Sequence, residues 1–191
     1  MTDPVNGAVN GAASDPASDP ASDPASDPVS GGASARGRQT PVDPVPRGFV
    51  LGVGVDVVDI PSFTEQLDLP GSKFAASFSG AERRECARLA KTSGNLAQHL
   101  AARWAAKEAF YKAWTLADAG DEIPGARMDW AQIEVVKDRW GRPYIRLHEP
   151  LASIVNGALA ARFGTGAAVW QLSLSHDGPV AQAFVVGEWR V

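Results

Sequence analysis

Cysteine is all but missing from this chain: Cys86 stands alone among 191 residues. No intrachain disulfide can form, and a reducing compartment is permitted. Histidine is scarce too, and His99, His148 and His176 show no spacing that would cage zinc. No apolar run approaches the length of a membrane span. The start lacks a basic region followed by an apolar stretch, so no secretory signal is expected. Before Phe49 there is no aromatic residue, and residues 1–47 hold no Leu or Ile. Ser-Asp-Pro units begin there at Ser14, Ser18, Ser22 and Ser26. Such a segment cannot bury enough apolar surface to offset its ordering entropy. It is expected to be a disordered tail, either a tether or a lineage-specific extension, ahead of a domain spanning 48–191. A strong charge of one sign is also lacking. The net charge is −4, and the tail's six Asp and three Arg account for −3 of it. Neither nucleic acid nor a membrane is expected as a partner, and the expected location is cytoplasmic. About 144 residues remain for one domain, enough for a real core.

What the chain does have is concentrated between Ala102 and Trp114, a strongly helical stretch in which four charges lie among bulky apolar residues. At about 100° per residue, Glu108 falls between Trp104 and Ala105, with Lys112 one turn further along. Arg103 and Lys107 form a second pair on another face, near Phe110 and Trp114. A helix apolar over most of its circumference should be buried, and charges on it need partners or a ligand. One carboxylate with several cations suits a metal-bound polyphosphate.

The second feature is the run from Phe49 to Ile60, read as a largely buried strand. Phe49, Leu51, Val53, Val55 and Val57 fall on one face, and Gly52, Gly54 and Asp56 on the other. Glycines there let another backbone or a ligand approach closely, beside the one carboxylate. A dinucleotide fingerprint is excluded, because its third glycine would fall at Val57.

Helix starts are expected at Ser62, with Glu65 at capping-box spacing, and at Ser79. The long helix should run from about Asn95 to Ala117, followed by a loop containing Pro124 and Gly125. Strands are expected at Gln132–Lys137 and Tyr144–Leu147 around a turn at Trp140-Gly141-Arg142-Pro143. A helix from Leu151 to Phe163 follows. Two last strands, Val169–Ser175 and Val180–Trp189, flank a turn at His176-Asp177-Gly178-Pro179. Helices interspersed with antiparallel hairpins point to an α+β fold with one long central helix.

Asp56 in such a strand must be ionised with a partner, protonated, or bound to a metal. Glu108 has an ordinary alternative as well, a helical pair with Lys112 worth about 0.2–0.5 kcal/mol. That alternative explains the spacing but not the apolar surroundings. Two carboxylates from a strand and a helix, completed by water and phosphate oxygens, fit Mg²⁺. Lys107, Lys112 and Arg103 would supply the positive side, unless they merely line a solvated flank. His176 would by itself be an ordinary turn residue.

Together these residues resemble the holo-[acyl-carrier-protein] synthases, the small bacterial 4′-phosphopantetheinyl transferases, and most of all their actinobacterial members. The resemblance rests on Gly52-Val53-Gly54-Val55-Asp56-Val57-Val58-Asp59-Ile60, Arg103-Trp104-Ala105-Ala106-Lys107-Glu108-Ala109-Phe110, Lys112-Ala113, Gly141-Arg142-Pro143 and Ser173-Leu174-Ser175-His176. These occur in family order over about residues 48 to 188. The resemblance implies the α+β phosphopantetheinyl transferase fold, assembled as a homotrimer with active sites between subunits. It implies transfer of the phosphopantetheine arm of coenzyme A to a serine of apo-acyl carrier protein, releasing adenosine 3′,5′-bisphosphate. Mg²⁺ would sit on Asp56 and Glu108, and Lys112 would neutralise charge on the pyrophosphate. Arg103, Gly141, Arg142, Pro143 and His176 would line the nucleotide end. Glu108 is a candidate base, directly or through a metal-bound water.

Two departures stand out. Many members carry basic residues just after the first strand, where they grip the acidic carrier protein. Here Pro61 to Asp68 holds no Lys or Arg. Docking would then rest on apolar contacts or on Arg83, Arg84 and Arg88. Gln171 also stands where some relatives have a second histidine. Two other readings compete: a catalytically silent homologue that only binds a carrier, and a structural subunit whose charges pair in an interface.

Overall fold

The computed structural model describes residues 48–118 and 128–191. The Ser-Asp-Pro tail and the loop at Pro124 and Gly125 lie outside them. Strand β1 (Gly48–Asp59) leads into helix α1 (Ile60–Asp68), and a 3₁₀ turn at Phe74–Ser77 precedes α2 (Gly80–Ser93) and the long α3 (Leu96–Asp118). A second 3₁₀ turn at Trp130–Gln132 opens the hairpin β2 (Ile133–Lys137) and β3 (Pro143–Leu147). Helix α4 (Leu151–Phe163), β4 (Ala167–Asp177) and β5 (Val180–Arg190) complete the chain. One sheet runs β1-β5-β4, antiparallel throughout, and β2 pairs with β3 in a separate antiparallel ribbon. The α+β expectation holds.

Local chemistry sets the element ends. Ser79 caps α2 by accepting from the Glu82 backbone N–H at 3.1 Å, while the Glu82 carboxylate accepts from Ser79 N at 2.8 Å. The start falls at Ser79 as expected, and the reciprocal box with Glu82 is a feature the structure adds. At α1 the expectation misplaces the start. The cap is Asp59, which accepts from the Ser62 backbone at 2.9 Å and the Ser62 hydroxyl at 2.6 Å. The helix therefore begins at Ile60, with Pro61 in its first turn where no N–H is needed. At the other end of the sheet the turn is shorter than expected. Only Gly178 and Pro179 separate the strands, so His176 lies within β4 opposite Ala181.

The long helix is buried around most of its circumference, as its apolar wheel requires. It lies against the glycine face of β1. A Cβ added at Gly54 would lie 1.9 Å from the Ala109 carbonyl oxygen, and one added at Gly52 2.3 Å from that of Ala113. The two backbones thus touch where side chains would hold them apart. The consequence reverses one expectation. Val53, Val55 and Val57 of β1 point away from the core, 45–60% exposed, with Phe184 of β5 beside them, while Val58 is buried. β1 is buried on its glycine face, and its apolar face is open.

Candidate active site

Asp56 sits on the glycine face of β1, paired across the sheet with Ala183. That face meets α3, so Asp56 reaches the helix surface that carries Glu108 and Lys112. The Lys112 ammonium donates to Asp56 Oδ1 at 2.8 Å and to the Val55 carbonyl at 3.0 Å. The Glu108 carboxylate, midway along α3, accepts no hydrogen bond among the described residues. Burial first, and then the charge of Asp56, push its carboxyl above the usual carboxylate range, with Lys112 opposing. Asp56 and Glu108 line a cleft of about 230 Å³ together with Asp59, Ser62, Gln66 and Trp104. Trp104 is fixed from the side by Phe74 and Trp130, with ring centroids 4.7 and 5.0 Å away.

Among the described residues no group of three or more His, Cys, Asp or Glu is placed to hold a metal ion together. Asp59 is engaged by Ser62, so the donor set left at this cleft is two carboxylates, Asp56 and Glu108. That suits a hard divalent cation which takes one or two protein carboxylates and fills its shell with water and substrate oxygens. The Lys112 ammonium already stands against Asp56 as a cation would, so positive charge is accommodated there.

The other expected residues divide between further surfaces. Arg103 and Gly141 line a cleft of about 500 Å³ with Arg88, Lys137 and Arg139. Arg103 is buried; it donates to the His99 carbonyl at 3.1 Å, and its Nε has no partner among the described residues. Arg142 and Pro143 line a cleft of about 530 Å³ with Tyr144, Gln171 and Leu172, and Asp138 belongs to both clefts. His176 lies beside His99, with ring centroids 6.3 Å apart. Asp56, Glu108 and Lys112 therefore meet within one chain. Arg103, Gly141, Arg142 and Pro143, expected at the nucleotide end, line clefts that share no residue with the carboxylate cleft, and His176 lines none of the three. Lys107 belongs to none of them and is taken up in the core.

The family model of the 4′-phosphopantetheinyl transferase superfamily matches residues 52–173. The holo-[acyl-carrier-protein] synthase of Corynebacterium efficiens is 42% identical over 144 residues, covering 74% of this chain and 96% of the relative. The chain belongs to this superfamily, among its holo-[acyl-carrier-protein] synthases. Such proteins are transferases, so the chain is an enzyme. Its fold matches a Chronobacterium ammoniagenes synthase in complex with coenzyme A at TM-score 0.62 and 42% identity, over 73% of this chain and 98% of that one. A Bacillus anthracis synthase, described in complex with coenzyme A (3′,5′-ADP), matches at TM-score 0.51 and 26% identity, over 73% and 96%.

The matched stretch of the synthase contains Asp56, Arg103, Glu108, Lys112 and the Gly141-Arg142-Pro143 turn, and His176 lies just beyond it. Sequence reasoning missed two groups that shape these surfaces. Asp138 accepts from the backbone of Trp140 and Arg142 at 2.8 and 2.9 Å and from Arg142 Nε at 2.7 Å, which fixes the hairpin tip. The signal was present: an Asp two residues before Trp140 is an Asx turn. His99 carried no such signal, because its neighbour His176 comes from a strand far along the chain. Its Nε2 is 2.8 Å from the Ser93 hydroxyl. Burial first, then Arg103 and His176, hold its pKa below the ordinary value.

Proposed function

We propose that this synthase transfers the 4′-phosphopantetheine arm of coenzyme A to a serine of apo-acyl carrier protein, with Mg²⁺, releasing adenosine 3′,5′-bisphosphate. The observation that carries the reading is the convergence of Asp56 from β1 with Glu108 and Lys112 from α3 at one place. The coenzyme A complexes of its relatives support the choice of donor.

Asp56 and Glu108 would hold the divalent cation, which supplies Lewis-acid neutralisation of phosphate charge when bound. The attacking serine oxygen forms a bond to the phosphorus that bears the pantetheine arm. The bond from that phosphorus to the bridging pyrophosphate oxygen breaks, and the electron pair leaves with the bisphosphate. Lys112, on its flexible stem, neutralises charge building on the leaving oxygens. Phosphoryl transfer asks mainly for this positioning and neutralisation. The serine proton passes to a base. Glu108 is our assignment, directly or through a bound water, and its raised proton affinity favours the role.

Arg103, Gly141, Arg142, Pro143 and His176 would receive the nucleotide end. The first four line surfaces apart from the carboxylate cleft, in keeping with a site completed by a neighbouring subunit. The open apolar face of Val53, Val55, Val57 and Phe184 supports a homotrimer. The reading includes residues 48–191 as the transferase domain behind a separate tail. It also includes a cytoplasmic location, in keeping with a Cys86 thiol that is buried and free.

The test is intact-mass spectrometry of apo-acyl carrier protein incubated with the full chain and coenzyme A. A phosphopantetheine-sized gain with Mg²⁺, abolished by chelator, is the expected result. No gain on several carriers would leave a protein that only binds its carrier.

A further inference from the structure

We propose that Lys112 is the resident counter-ion of Asp56 and competes there with the divalent cation, so that metal arrival is coupled to release of the ammonium toward the substrate phosphates. This rests on the transferase reading and adds a link between two of its parts.

The two partners are held very differently. Asp56 belongs to a strand paired along its length with β5, and its side chain is only 12% exposed. Lys112 reaches it on a four-carbon stem from α3, with its side chain 49% exposed. The lysine can leave; the aspartate cannot. The ammonium takes Asp56 Oδ1 at 2.8 Å and the Val55 carbonyl at 3.0 Å, so it lies directly against the carboxylate a cation needs. A divalent ion bound between Asp56 and Glu108 would face a positive charge across the same carboxylate. Like charges so close repel, and only one of them is free to move. Once displaced, the ammonium needs an anion, and Lys112 lies one turn beyond Glu108 on the helix face that borders the cleft. A substrate pyrophosphate held by the same cation provides it. In the metal-free protein Lys112 thus keeps Asp56 neutralised, and in the loaded protein it serves the phosphates.

The competing geometry is a cation on Asp56 Oδ2 with Lys112 remaining on Oδ1. Mn²⁺ binding to the full-length protein without coenzyme A, followed by electron paramagnetic resonance, measures the competition, and the ¹⁵Nζ resonance of Lys112 separates the two geometries. If Lys112 competes, Lys112→Met binds Mn²⁺ about tenfold more tightly than the unaltered protein. That is the low end of the scale on which a close cation alters a carboxylate's proton affinity. Asp56→Asn loses the site. Unchanged or weaker binding in Lys112→Met overturns the proposal. Absence of any Asp56-dependent Mn²⁺ binding overturns it together with the metal assignment.

A second measurement needs no altered lysine in the sample observed. The ¹⁵Nζ resonance of Lys112, identified by its shift in Asp56→Asn, is expected to move as Mg²⁺ is added. A resonance that stays fixed at saturating Mg²⁺ refutes displacement. Transfer is scored separately by the carrier mass gain, so competition can fail in an active enzyme and can hold in an inactive one.

Discussion

Lys107 Nζ lies 2.9 Å from Glu82 Oε2, and neither side chain reaches solvent. The same ammonium donates to the carbonyls of Trp130 and Ile133. The same carboxylate accepts from the backbone of Ser79 and Val135 at 2.8 and 3.0 Å. One ion pair thus ties α2, α3, β2 and the 3₁₀ turn before it. Glu108, the next residue on α3, faces β1 instead. The pair therefore sets the rotation of the helix that presents Glu108 and Lys112 to Asp56. Burial lowers the Lys107 pKa, and Glu82 opposes that shift.

Replacing Lys107 with Met keeps most of the volume but leaves Glu82 and two carbonyls without their donor. Breaking a buried pair this way costs about 3–5 kcal/mol. A urea-unfolding midpoint lowered by that equivalent is expected, and a cost below about 1 kcal/mol would show that water replaces the ammonium.

Asp56→Ala and Glu108→Gln are each expected to reduce transfer by about 10²-fold or more, the scale for removing one preorganised electrostatic group. Their stabilities should differ. The folded-state pKa of Glu108 is raised above 4.5, so the unfolded chain ionises first as pH rises. Above that point the ionised carboxylate works against folding. Glu108→Gln should raise Tm at neutral pH while abolishing transfer, and calorimetry with the carrier assay checks both. An active Glu108→Gln enzyme would refute the assignment.

Gly54→Ala places a methyl 1.9 Å from the Ala109 carbonyl oxygen and 2.8 Å from the Ala113 nitrogen. Backbone cannot yield as a flexible side chain can, so α3 must shift outward. The cost should reach or exceed the 1–3 kcal/mol typical of overpacking. Because α3 carries Glu108, transfer should fall with stability; chemical unfolding and the carrier assay read the two.

Phe184→Asp puts a charge at the centre of the open apolar face, opposite Val55. On the proposed homotrimer, light scattering should report trimers for the unaltered chain and monomers for the variant, with transfer lost alongside assembly. A trimeric variant would move the subunit contact elsewhere.

His99 titrates below its ordinary value of 6.5 because burial, Arg103, His176 and Lys137 disfavour its charge, with Glu85 alone opposing. Near that pH the unfolded chain binds more protons than the folded one, so stability rises with pH through the window just below 6.5. It is lost as pH falls through the same window. In His99→Gln the Tm should depend less on pH between about 5 and 7, measured by thermal unfolding. An unchanged pH profile would refute this.

Much of the architecture was legible in order. The apolar wheel of Ala102–Trp114 requires a buried helix, because no orientation of it hides only one side. Gly52 and Gly54 announce a close backbone approach, and Ser79 marks a helix start. The same spacings place Glu108 and Lys112 on one face, and Arg103 and Lys107 on another.

Spacing names a face, and only the tertiary structure decides what packs against it. Lys107 meets Glu82 across 25 positions and Lys112 meets Asp56 across 56, separations no local pattern spans. By helical spacing alone the two lysines were therefore indistinguishable, and packing sends one into the core and leaves the other at the cleft. The valines of β1 were equally ambiguous. Their alternation with glycine is fixed by the strand period of two, but which face is buried depends on where α3 comes to lie. It lies where the glycines leave room for its backbone, and that turns Asp56 toward Lys112.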